Sequence, residues 1–180
     1  MVLAAAGVTF SYAQSPVQGR SAEDNPGIWN QFVSERFDFR VLFPGRPKEK
    51  STDLQGKNGV LTANWFSVES LGIKFEISCT NYQSLPKMDK EALKKNYDRN
   101  RDGMLKSANV VLLEESDIEL GKYHGRELVI KIGNEVVIDR MFTVDQRLYQ
   151  LVVTLWAKDF EGHKRPEPVI KFFNSFQISE

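Results

Sequence analysis

EVVIDRMFTVDQRLYQLVVTLW, residues 135–156, carries Val, Ile, Leu, Phe and Tyr at both parities of an extended chain. Successive side chains of a strand point to opposite faces, so apolar groups at odd and even positions mean strands covered on both. With Asp145-Gln146 as a two-residue turn the stretch becomes a hairpin at the centre of a sheet, with Arg140 facing Leu151 and Phe142 facing Tyr149. Working outward, His124 to Ile132 has the same character, and Gly133-Asn134 is a second tight turn. That turn sets Ile132 opposite Glu135 and, counting back, Glu127 opposite Arg140. The two charges fall among Ile138, Leu151 and Val153, where an unpaired charge is costly to bury. Glu127 and Arg140 are therefore expected to form a structural ion pair that fixes register, in preference to a ligand-binding arginine.

Upstream, the segment FDFRVLF alternates: Phe37, Phe39, Val41 and Phe43 share one face, Asp38 and Arg40 the other. Pro44-Gly45-Arg46-Pro47 ends it. Lys48 to Gln55 is polar and charged, as suits an edge strand, and Lys57-Asn58-Gly59 turns the chain. Val60–Glu69 and Ile73–Tyr82, joined across Leu71-Gly72, read as a further hairpin. From Met88 to Leu105 the period changes: Ala92, Leu93, Tyr97, Met104 and Leu105 form one stripe of an amphipathic helix. Strand character returns at Val110–Leu113. At the other end, Pro166 and Pro168 suit the first turn of a helix whose stripe is Val169, Phe172, Phe173 and Phe176. The sum is about eight strands, nearly all in hairpins, with a pair of helices: an α+β fold on an antiparallel sheet.

The chain has 180 residues, 41% of them hydrophobic and 27% charged, enough for one well-buried core. Lys plus Arg and Asp plus Glu are 24 each, so no net field draws the protein to nucleic acid or anionic lipid. MVLAAAGVTFSYAQSP is small and apolar until Ser11-Tyr12-Ala13, which places a signal-peptidase site before Gln14. Residues 1–13 thus read as an export signal, 14–27 as a flexible polar leader, and 28–180 as a single domain. No apolar run approaches the ~20 residues that span a bilayer. With Cys79 alone there is no internal disulfide, and no cysteine lies at the cleavage site to carry a lipid anchor.

The residues that could do chemistry are few. Asp98-Arg99-Asn100-Arg101-Asp102-Gly103 matches the first half of a calcium-binding loop. The closing position, where a bidentate Glu belongs, is Asn109, and arginines sit between the would-be ligands. These are expected to be polar residues at the end of the helix. His124 and Glu127 are three apart in a strand and point to opposite faces, and His163 has no second ligand at a useful spacing. Cys79 lies on the apolar parity of its strand and is expected to be a small buried hydrophobe. Glu114, Glu115, Asp117 and Glu119 are expected to be a solvated face in a turn-rich segment. No nucleophile elbow, phosphate loop or dinucleotide fingerprint occurs. No catalytic residue, metal ligand or cofactor site is assigned.

IWNQFVSERFDFRVLFPGRP (28–47), RDGML (101–105), KYHGRELVI (122–130), RMFTVDQRLYQLVV (140–153) and FFNSFQI (172–178), taken in order, resemble the exported bacterial proteins of the PsbP-like group. The resemblance implies the Mog1/PsbP-type α/β/α sandwich, a central and mostly antiparallel sheet of about 7–8 strands with two main helices. It also implies relatives that act as non-catalytic protein partners, PsbP in a photosystem and Mog1 with a small GTPase. It carries over no site residues. The expectation is an exported, periplasmic or secreted, binding or accessory domain with a protein partner. A small hydrophobic ligand or lipid carrier is the alternative and would need an aromatic pocket of about 300 Å³. A hydrolase, third in line, would need two carboxylates facing each other across a cleft.

Overall fold

The structure, a computed structural model, describes residues 28–56, 59–82, 88–107, 109–160 and 164–179. The expected signal at 1–13, the leader at 14–27, Lys57-Asn58 and His163 lie outside these residues. Among the described residues ten strands and two α-helices follow in the order β1 (Asn30–Ser34), β2 (Phe39–Phe43), β3 (Lys48–Gly56), β4 (Gly59–Ser70), β5 (Ile73–Asn81), α1 (Lys90–Met104), β6 (Val110–Leu120), β7 (Tyr123–Ile132), β8 (Glu135–Val144), β9 (Arg147–Trp156), α2 (Glu167–Ser175) and β10 (Gln177–Ile178).

Seven strands make one antiparallel sheet, ordered β3-β4-β5-β9-β8-β7-β6. The hairpin of residues 135–156 is β8–β9, with β9 the middle strand. Ile132 stands opposite Glu135, Glu127 opposite Arg140, Arg140 opposite Leu151 and Phe142 opposite Tyr149. Gly125 lies opposite Phe142 because that ring covers it: a Cβ there would stand 2.5 Å from the ring. At the two outer strands the polar run of β3 forms one edge and β6 the other.

Both faces of the sheet are covered, which is why both parities of β8 and β9 are apolar. On one face α1 lays Tyr97, Leu93 and Met104 on Leu128, Ile130, Val137, Met141, Leu148 and Val152. Asp89 caps α1 by accepting from the Ala92 amide at 2.8 Å. On the other face Phe39, Val41 and Phe43 pack with Val169, Phe172, Phe173 and Phe176 over Ile77, Ile138, Tyr149, Leu151 and Val153.

Two features differ in detail from the sequence reading. The alternating strand FDFRVLF is not part of the large sheet; β2 pairs with β1 and β10 in a separate three-stranded sheet that shares a layer with α2. The Pro44–Pro47 break is what lets the chain leave that layer for the main sheet. The acidic run is not turn-rich: β6 continues unbroken to Leu120, with a bulge between Leu112 and Glu114. Along this strand Glu114 meets Arg165 on one face and Glu115 meets Arg126 on the other, while Asp117 and Glu119 stay exposed.

Candidate functional site

Charge concentrates where β6, β7 and β8 adjoin, and the pleat of β7 divides it between the faces. Glu127 points to the α2 side, where its side chain is 6% exposed. Arg140 donates Nε to Glu127 Oε2 at 2.5 Å, and its guanidinium lies 4.4 Å from the centre of the Phe173 ring on α2. Arg165, just before α2, donates to the other oxygen of Glu127 and reaches Glu114 on β6 at 3.3 Å. Glu127 and Arg140 are thus two members of a larger group. Arg165 is not legible in the sequence as part of this group, because its partners are 38 and 51 residues away and no short-range pattern links them.

Arg126, the preceding residue, points to the α1 side and is only 3% exposed. It pairs with Glu115 on β6 and lies 3.2 Å from Asp98 on α1. Its Nε is 2.9 Å from Asp117, an ion contact too poorly angled to be a hydrogen bond. Arg101 on α1 also donates to both oxygens of Glu115, at 2.9 and 3.0 Å. Lys94, Arg126 and Arg101 together outweigh the burial of Asp98 and hold its carboxyl below the usual range. This accounts for the calcium-like run: α1 continues through it to Met104, and Asp98 is bound to cations. These two groups join layers; they leave no paired carboxylates facing a gap, as hydrolysis would need.

His124 meets Glu119 at 3.3 Å on the rim of β6–β7, away from Glu127's face. Cys79 is a free, fully buried thiol whose pKa burial pushes up to about 12, so it is not a nucleophile at neutral pH. Asp139 on β8 is buried and receives one hydrogen bond, from Gln150 Nε2 at 3.2 Å; its other oxygen has none. Burial raises that carboxyl to about 7.

The surface offers two features of another kind. At the β4–β5 turn Leu71 has φ of 53° and is 78% exposed, and Trp156, half-exposed at the end of β9, lies beside the same turn, within 4 Å of the space above Gly72. A branched apolar residue in the left-handed region is strained, and here its side chain is left in water as well. On the sheet end near β3 there is a cleft of about 330 Å³ between Arg36 and Arg147. Its lining is largely polar, with Phe37 its single aromatic residue, so it is not the aromatic pocket that a lipid carrier needs.

An antiparallel seven-stranded sheet with α1 on one face and α2 beside a small second sheet on the other is a PsbP-type α+β fold. Among solved structures the chain is similar to cyanobacterial PsbP (CyanoP) from Synechocystis sp. PCC 6803, with 9% identity over 91% of this chain and 99% of that one, at a TM-score of 0.55. It also matches the Ran-binding protein Mog1p of Saccharomyces cerevisiae, 7% identical over 85% and 96% of the two chains, at 0.46. A third match is PA94 from Pseudomonas aeruginosa, a protein of unknown function and putative regulator, 9% identical over 76% and 89%, at 0.40. No protein-family model and no curated protein matches the sequence. Among the described residues no helix is long and apolar enough to cross a membrane.

Proposed function

We propose that residues 28–180 form a non-catalytic binding or accessory domain that docks on a protein partner, and that residues 1–13 direct its export to the periplasm or medium ahead of a polar leader at 14–27. The observation that carries the docking is the Leu71 tip beside Trp156. An asparagine or glycine would make the same turn without strain and without exposing an aliphatic side chain, so the leucine works against both backbone preference and solvation. Tryptophan beside it is the residue type that most often anchors protein interfaces. In this reading Glu127 and Arg140 are structural: with Arg165 and Phe173 they fasten the α2 layer to the sheet and hold the β7–β8 register.

The test is a photo-cross-linking amino acid placed at position 71, and separately at Lys95 on α1, in the full chain within its source cells. A discrete adduct at position 71 and none at 95 supports the reading. So does loss of that complex on Leu71→Asn while the melting temperature holds or rises. Equal adducts at both positions, or none at 71, would sink it.

A further inference from the structure

The cleft at the β3 side of the sheet is built by the pleat and by one turn. Asn64 on β4, Asn81 on β5 and Arg147 on β9 project from the same face: Asn81 stands directly opposite Arg147, and Asn64 pairs with Cys79, two residues from Asn81. The β1–β2 turn closes over them, held by the Tyr149 hydroxyl donating to the Phe37 carbonyl at 2.7 Å and by an Arg147–Asp38 ion pair. Arg36 and Phe37 of that turn complete the lining.

The lining is rich in donors. Arg36 lies with its guanidinium 4.9 Å from the Phe37 ring centre, and no described carboxylate pairs with it. Arg147 pairs with Asp38, and Asp53 stands at the rim against Thr62, so among the described residues Arg36 is the uncommitted cation of the lining. Asn64 is 3% exposed, and its Oδ1 accepts from Ser51 Oγ at 2.8 Å, which leaves Nδ2 for the cleft. A nearly buried amide with a spare donor is expected to meet an acceptor. The fields of Arg147 and Arg36 both reach the Cys79 thiol beneath the cleft, where that of Asp38 opposes them. Thr62 adds no free donor, as its hydroxyl donates to Asp53 at 2.8 Å.

We propose that this cleft binds a small organic oxyanion, a carboxylate or phosphate ester group gripped by Arg36 and Arg147 with Asn64 and Asn81 donating from the sheet. Guanidinium groups form charge-assisted bonds with such oxygens, and the amides supply directional donors at the floor. The volume, about 330 Å³, falls at the small end of ligand pockets, so the ligand is of metabolite size. The site is independent of the Leu71 tip.

Titration calorimetry of the full chain at low salt, with inorganic phosphate and separately with succinate, tests it. At least one anion should saturate one site. Arg36→Gln should weaken that binding by roughly tenfold or more, the worth of a charge-assisted hydrogen bond. Asn81→Asp, which puts a like charge in the cleft, should weaken it similarly, and Lys95→Gln on α1 should change nothing. Arg36 and Asn81 are both exposed, and thermal melts verify that the variants fold. Preference for phosphate assigns a phosphate ester, and preference for succinate a carboxylate. Saturation by neither anion, or binding that survives either cleft substitution unchanged, overturns the proposal.

Discussion

Arg126 and Glu127 are neighbours on β7 that face opposite layers, and each is a buried charge met by groups of the other sign. On the α1 side one arginine is shared among Glu115, Asp98 and Asp117, carboxylates that are from 21% to 74% exposed. On the α2 side one carboxylate is shared between Arg140 and Arg165, with the Phe173 ring over the first. The outer partners of Arg126 remain in contact with water if the arginine is removed. Arg126 itself does not if they are. What a substitution costs therefore depends on which charge stays behind in the interior, more than on how many contacts are lost.

Asp139 breaks the pattern. It lies on β8 next to Arg140 but faces α1, deeper than any carboxylate of the Arg126 group, with Gln150 as its single donor. Its folded pKa, about 7, is raised above the ordinary 3.8 by burial. Between those values the folded state holds a proton that the unfolded chain has released, so stability falls as pH rises through that window and levels off above it. Asp139→Asn keeps the bond from Gln150 and removes the ionisation. The variant should be more stable than the wild type at pH 8, by up to about 4 kcal/mol, and about equal near pH 4. Urea unfolding at several pH values measures this; parallel curves for the two proteins would mean that Asp139 ionises freely.

The next largest effect strips Arg126. Asp98→Asn with Glu115→Gln leaves that arginine with Asp117 alone, and the cost is expected near 3 kcal/mol, the range for an uncompensated buried charge. Equilibrium denaturation gives the number. A loss below about 1 kcal/mol would mean that the group behaves as a surface network and that the two sides of β7 are not alike.

How much of this was legible depends on the range of the interaction. Turns at Gly133-Asn134 and Asp145-Gln146 are short-range signals, so counting residues gives the register that the ladders have, down to Glu127 opposite Arg140. The stripe of α1 and the Phe-rich stripe of α2 are equally local. The second sheet was not legible, because the apolar face of Phe39, Val41 and Phe43 states that a layer covers it and not which layer. The acidic run is legible in part for a related reason: Asp117 and Glu119 are exposed, as a solvated face should be. Glu114 and Glu115 look equally solvated until Arg165, Arg101 and Arg126 are brought beside them from three different elements. The cleft was equally invisible, since Arg36, Asn64, Asn81 and Arg147 come from a turn and three strands.

Arg140→Leu tests the α2 side directly. Leucine suits the neighbourhood of Leu151 and Phe173, yet Glu127 is left with Arg165 alone, so a loss of about 2 kcal/mol is expected. Adding Glu127→Gln to that variant should recover most of it, because no buried carboxylate then lacks its partner. Unchanged stability and sheet content in the single variant would remove the register-holding role of the pair.

Arg165→Gln is the mildest probe and the one that separates the two networks by mechanism. Arg165 approaches Glu127 from the segment before α2, and one of its partners, Glu114, is about a third exposed, so part of its contribution is screened by water. Arg140 still holds Glu127, and the amide can donate one bond in place of the guanidinium. The loss should be about 1 kcal/mol, and it should shrink further in 1 M salt, whereas the loss in the Asp98/Glu115 double variant should hardly change with salt. Hydrogen exchange should place the remaining effect in α2, since its Phe172 and Phe173 anchors survive while the tether at its start is loosened. A salt-independent loss, or faster exchange spread evenly over both layers, would mean that the group around Glu127 is as enclosed as the one around Arg126.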